Sequence, residues 1–179
     1  YLDMTTLKTR QSEAELAAQA LVGHYVATTI VDTILCLDGT QIIGAFLAQE
    51  LNREGFVSIN EHQTIYVITP EHDANGQMIF RDNLQPMVRD KHVLILTASV
   101  TTGISVRKAM ECVQYYGGTT VGACAIFSAL EQVENVPIQS VFGPSDVPDY
   151  ATYANHDCPM CKANQKVDAL VNGYGYSKL

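Results

Sequence analysis

VLILTASVTTGIS, residues 93–105, passes from an apolar run through a Thr-Thr-Gly turn into helical sequence. A strand that ends in small hydroxylated residues just before a helix leaves several backbone N–H groups pointing at one spot, where a phosphate fits. The segment is therefore expected to act as a phosphate cradle. Thr97 and Ala98 hold the two strand-end positions that would suit a pair of acidic residues, and neither carries charge.

On either side of this segment, helix and strand patterns alternate. Ser12 and Glu15 have capping-box spacing, and Leu16, Ala20 and Leu21 continue at helical spacing, which predicts a first helix of about three turns. Ile30–Leu37 reads as a buried strand stopping at Asp38-Gly39. Ile43, Phe46, Leu47 and Leu51 line one face of a second helix, closed by Gly55. Val57–Ile59 and Thr64–Thr69 read as short strands, and 70–91 as a long loop or a small hairpin. His92–Leu96 is the next strand, with Val106, Ala109, Met110 and Val113 on the buried face of the helix after it. Gly117-Gly118 ends that helix, and Thr119–Phe127 and Ile138–Phe142 supply two further strands.

This alternation implies an α/β fold: a mainly parallel twisted sheet with helices on both faces and right-handed crossovers. One such domain is expected over residues 1–145, with a tail, 146–179, packed on it. Ligands of such sheets sit beyond the carboxyl ends of the strands, where Asp38-Gly39-Thr40 and the loop from Ser99 to Ser105 both lie. Gly39 and Gly103 allow a close backbone approach or a positive φ. Two ordinary strand-to-helix turns, capped by Thr40 or Thr102, would read the same way.

Composition narrows the partners. The 179 residues are 47% hydrophobic, enough for one well-buried core. A formal net charge of −8 argues against a nucleic-acid-coating protein, which would collect Lys and Arg, but leaves room for a small anion held by backbone amides. No apolar run approaches the roughly 20 residues that span a bilayer, and no charged, apolar leader opens the chain, so a protein without membrane attachment and a cytoplasmic location are expected. The chain begins at Tyr1 in strand-like sequence, and a preceding segment is expected. Five cysteines, Cys36, Cys112, Cys124, Cys158 and Cys161, do not form a secreted disulfide framework.

VLILTASVTTGIS, followed by a helix and GGTTVGA, resembles the phosphoribosyl pyrophosphate (PRPP) signature of the type I phosphoribosyltransferases, and Tyr1-Leu2-Asp3 is similar to the N-terminal element of the orotate subfamily. The resemblance spans most of the chain to about Phe142. It implies that Thr101, Thr102, Gly103, Ile104 and Ser105 cradle the 5-phosphate, that Asp38, Gly39 and Thr40 face pyrophosphate, and that Thr97, Ala98, Ser99 and Val100 complete the substrate-binding strand end. It also implies a homodimer, with Mg²⁺ accompanying PRPP. Two departures stand out. The acidic pair of the family is replaced by Thr97 and Ala98. The stretch 69–76, TPEHDANG, holds Glu71, His72 and Asp73 where the family's mobile loop is rich in Lys and Arg. Asp38, Glu71 or Asp73 would then have to supply a carboxylate from another loop, with Thr97, Ser99 and Thr102 offering neutral hydrogen bonds. Two functions follow: transfer of ribose 5-phosphate from PRPP to a nitrogenous base such as orotate, or a non-catalytic PRPP or nucleotide sensor that retains the phosphate loop.

The tail carries a second constellation. His156-Asp157-Cys158-Pro159-Met160-Cys161 contains a C-x-x-C knuckle whose spacing places two thiolates on one tetrahedral Zn²⁺, and which also suits a plain turn or a redox-sensitive pair. Tyr150, Tyr153, Tyr174 and Tyr176 crowd the same tail and would pack on the domain, on a second subunit or against a planar base. Asp168, Leu170 and Val171 fit a short helical pattern.

Overall fold

A computed structural model describes residues 1–53, 58–61, 63–153, 156–173 and 175–179. The helices are α1 (Thr5–Thr9), α2 (Gln11–Val22), α3 (Gln41–Leu51), α4 (Ile104–Tyr115) and α5 (Pro159–Lys162). The strands are β1 (Thr33–Cys36), β2 (Tyr66–Ile68), β3 (Glu71–His72), β4 (Met78–Ile79), β5 (His92–Val100), β6 (Thr119–Ser128), β7 (Gln132–Val133), β8 (Val136–Phe142), β9 (Ala169–Asn172) and β10 (Gly175–Lys178). Six of them form one sheet in the order β2-β1-β5-β6-β8-β7. All pairings in it are parallel except β7 with β8.

Parallel strands covered on both faces are apolar throughout, and consecutive residues alternate between the two faces. Ile34 and Cys36 on β1, Leu94, Leu96 and Ala98 on β5, and Cys124 and Ile126 on β6 meet Ala14, Ala18 and Leu21 of α2 and Ile43, Leu47 and Leu51 of α3. Leu35, Val93, Ile95, Ala123 and Ala125 meet Val106, Ala109, Cys112 and Val113 of α4, together with Met78, Phe80 and Val88. The segment predicted as a long loop or small hairpin, 70–91, is the β3–β4 hairpin followed by a 3-10 turn at Gln85–Met87.

Several expectations are corrected. The first long helix starts at Gln11, with Arg10 in the cap position and no side-chain cap, so Ser12 and Glu15 form no capping box; Glu15 instead accepts a hydrogen bond from Gln11 Nε2 at 2.8 Å. Tyr1-Leu2-Asp3 is not strand, and α1 starts at Thr5 after the cap residue Met4. The strand predicted over 30–37 contracts to Thr33–Cys36, and the strand predicted to end at Leu96 runs on to Val100. Asp168, Leu170 and Val171 are not helical: β9 and β10 pair as an antiparallel hairpin, Tyr176 opposite Val171. Tyr1 and Tyr176 stack with ring centroids 5.3 Å apart, one of the contacts joining that hairpin to the N-terminus. The expected closing Gly55, the first residue of the Val57–Ile59 strand, and Tyr174 lie outside the described residues. Among the described residues, no helix is long and apolar enough to cross a membrane.

Candidate active site

β1 and β5 are adjacent and parallel, with Cys36 beside Leu96, so the loops that follow them open side by side at one sheet edge. After β1 the chain turns sharply: Asp38 has φ +53° and Gly39 φ +79°. After β5 comes the turn 101–103, in which Gly103 takes φ +76° and caps α4. The first α4 backbone bond to this cap is donated by Arg107 N to Gly103 O at 2.9 Å, which leaves the amides of Ile104, Ser105 and Val106 without an intrahelical partner at the helix start. Those amides and the helix dipole favour an anion there.

A cavity of about 410 Å³ lies against this start. Its walls include Asp38, Ala98, Ser99, Thr101 and Ser105, together with Phe127 and Tyr150. An adjoining cavity of about 300 Å³ shares Asp38, Ser105, Asn172 and Gly173 with the first and adds Gly39, Pro70 and His72. The two nominated loops therefore do frame one cleft. Asp38 is the acidic residue among the described lining of both cavities.

The remaining nominated residues divide by role. Thr97 is fully buried and donates its Oγ1 hydrogen to Asp38 Oδ2 at 2.6 Å, so it holds the carboxylate. Thr40 is also fully buried, and its hydroxyl donates to Leu37 O at 2.8 Å and to Leu96 O at 3.2 Å, tying the two strand ends together. Val100 packs in the α4-side core. Thr102 and Ile104 are exposed and lie outside both cavity walls. Glu71 pairs with Arg81 at 2.8 Å, and Asp73 Oδ1 accepts the amides of Asn75 and Gln77, each at 2.8 Å. Both carboxylates are thus engaged within the hairpin, and Asp38 is the one of the three candidates that reaches the cleft.

The tail closes the cleft from the other side. Lys8 Nζ donates to Asp38 O at 3.0 Å and to Gly173 O at 2.7 Å, joining α1, the β1 loop and the tip of the β9–β10 hairpin. Gly173 sits so close that a side-chain Cβ there would fall 2.5 Å from Asp38 Oδ1. Tyr150 rests on Phe127 with ring centroids 4.7 Å apart, and burial pushes its phenol above the usual range. Composition and periodicity nominated neither Lys8 nor Val171, Asn172 and Gly173, because their approach depends on how the tail folds back. Lys8→Met is expected to loosen the hairpin: amide exchange across Ala169–Lys178 should rise roughly tenfold, the loss of about 1.4 kcal/mol from charge-assisted hydrogen bonds. Unchanged exchange would show that the lysine does not hold the tail.

Cys158 and Cys161 lie at the surface around α5, and among the described residues no three His, Cys, Asp or Glu side chains converge as a metal-binding group.

No family model matches the chain. Over 90 residues it is 32% identical to the orotate phosphoribosyltransferase of Pelotomaculum thermopropionicum, a match covering 49% of this chain and 45% of that protein. Orotate phosphoribosyltransferase of Mycobacterium tuberculosis H37Rv, solved in complex with PRPP, superimposes with a TM-score of 0.58 at 20% identity, covering 82% of each chain. Adenine phosphoribosyltransferase of Thermoanaerobacter pseudethanolicus superimposes with a TM-score of 0.58 at 14% identity, covering 80% of this chain and 87% of that one. These likenesses show that the chain has the type I phosphoribosyltransferase fold and is similar in sequence to orotate phosphoribosyltransferase over about half its length.

Proposed function

We propose that the protein transfers ribose 5-phosphate from PRPP to a planar nitrogenous base, with orotate as the base. The observation that carries this reading is Asp38, a carboxylate held by Thr97 on the wall of the same cleft that the phosphate cradle of residues 101–105 opens onto. In the reaction the base nitrogen, its proton released to solvent, bonds to the anomeric carbon as the bond to pyrophosphate breaks, and pyrophosphate leaves with the electron pair. Positive charge grows on the ribose in between, and a fixed carboxylate nearby stabilises it. The α4 amides hold the 5-phosphate, and Phe127, Tyr150 and Tyr1 offer an aromatic wall for a flat ring. Mg²⁺ enters with PRPP as part of the substrate and neutralises the diphosphate. The same reading takes the protein as a homodimer acting in nucleotide synthesis.

One observation favours a second reading. Among the described residues lining the two cavities, Lys8 is the one Lys or Arg, and its ammonium is already committed to two carbonyls. A departing diphosphate finds little protein charge to meet it, which suits a sensor that binds PRPP or a nucleotide without turning it over. Loss of orotate absorbance with PRPP and Mg²⁺ separates the readings. The enzyme reading expects turnover above a no-protein control. Turnover equal to the control, with a thermal shift on adding PRPP or uridine monophosphate, leaves the sensor; neither response sinks both.

A further inference from the structure

Of the five cysteines, three are buried. Cys36, Cys112 and Cys124 are buried in the sheet and α4 cores, and burial pushes the Cys36 thiol up to about 12 and the Cys112 thiol up to about 11. Cys158 and Cys161 differ in every respect. They lie in the tail, half-exposed and exposed, three residues apart on a single helical turn closed by the hydrogen bond from Lys162 N to Cys158 O at 3.1 Å. Cys158 has φ −66° and ψ +116°, and Pro159 begins the turn, so the chain bends directly after the first cysteine and brings the second back beside it. Residues three apart on a turn share a face.

From this pairing we infer that Cys158 and Cys161 form a reversible dithiol–disulfide couple that reacts with low-molecular-weight disulfides. Two ligands without a third in reach among the described residues do not complete a zinc site within this chain, whereas two accessible thiols on one turn complete a disulfide. The contacts around the pair support Cys158 as the attacking thiol. Hydrogen bonds from the Cys161 amide and thiol, and from the Met160 amide, draw the Cys158 thiol below its usual range, with the Lys162 ammonium adding to the effect. The same hydrogen bond and the Cys158 charge hold the Cys161 thiol above its usual range. Asp157 beside the pair is occupied by His156 at 3.0 Å and faces Lys162 at 4.0 Å.

Cys158 as thiolate attacks one sulfur of the small disulfide. That S–S bond breaks, and one small thiolate leaves with the electron pair and takes up the proton that Cys158 lost. Cys161 then loses its proton and attacks the Cys158 sulfur of the mixed disulfide, releasing the second small thiol. Two protein thiols are oxidised to one disulfide while one small disulfide is reduced to two thiols. The pair lies on the segment between Thr152 and Val171, both of which line the larger cavity, so its oxidation state sits on the link between two parts of that wall.

The test incubates the reduced full chain with oxidised glutathione, quenches with iodoacetamide and maps the alkylated peptides by mass spectrometry, alongside zinc determination on protein purified without chelator. Expected is loss of free thiol at Cys158 and Cys161 together, as an intramolecular disulfide reversed by dithiothreitol, with Cys36, Cys112 and Cys124 still free. Cys161→Ser should trap glutathione on Cys158, while Cys158→Ser should take up glutathione more slowly. Both thiols remaining free, disulfides joining separate chains instead, or stoichiometric zinc lost on Cys158→Ser would each overturn the inference. None of these outcomes bears on orotate turnover, so this inference and the proposed function fail separately.

Discussion

Asp38→Asn is expected to lower kcat for PRPP-dependent consumption of orotate by roughly 100- to 1000-fold, the usual cost of removing one group aimed at developing charge. The substitution keeps the shape of the side chain, and the Asn carbonyl oxygen can still accept the Thr97 hydroxyl that now lies 2.6 Å from Asp38 Oδ2. What disappears is the negative charge. KM for PRPP should move far less than kcat, because the proposed 5-phosphate site is the set of amides at the start of α4, on the other loop. Steady-state kinetics at saturating orotate, with circular dichroism to confirm the fold, decide it. Retention of wild-type kcat would remove Asp38 from the chemistry. Introducing an acid at position 97 is no equivalent repair: Thr97 is fully buried beside Asp38, so Thr97→Asp would set a buried carboxylate against a second one.

The second large effect is expected at Gly103. Its φ of +76° lies where a residue bearing a Cβ is strained, and a Cβ there would stand 2.6 Å from Val133 Cγ2 and 3.3 Å from Leu130 Cδ1. Strain and crowding together predict that Gly103→Ala destabilises the fold by about 1–3 kcal/mol and lowers Tm by several degrees. The turn itself must shift, so the thermal stabilisation that the proposed function expects from PRPP should be lost as well. Gly76 is the control. It has φ +74° on the turn joining β3 to β4, with nothing within 4 Å of an added Cβ. Gly76→Ala should cost strain alone and keep the PRPP response, as read by differential scanning fluorimetry. Equal behaviour of the two variants would mean that the turn before α4 does not hold the ligand.

The two loops at the carboxyl ends of β1 and β5 were legible because each follows a run of apolar residues whose identity requires burial on both faces. Val93–Leu96 and Ile34–Cys36 have no other stable place than the middle of a parallel sheet. The absence of charge at Thr97 and Ala98 was equally plain. Which of Asp38, Glu71 and Asp73 would reach the cleft was not, because the three are alike as letters. Glu71 and Asp73 are taken by Arg81 and by the turn amides of their own hairpin, while the pairing of β1 with β5 delivers Asp38 to Thr97.

The tail marks the boundary between the two kinds of information. Asp168, Leu170 and Val171 fit helical spacing, yet they form an exposed hairpin whose tip meets Lys8 and Asp38. A four-residue strand has too few residues to show its period, and the tip of its hairpin meets residues far away in sequence: Lys8 and Gly173 are separated by 165. Periodicity, turn residues and the Thr-Thr-Gly segment thus determined the α/β class and the sheet edge at which the two loops open from sequence alone, since those signals are local and each rests on burial or backbone geometry within a few residues. The carboxylate that serves the cleft, the lysine that clamps the tail and the second wall of the cavity were decided only by tertiary structure, because they depend on which distant segments the sheet brings to one edge.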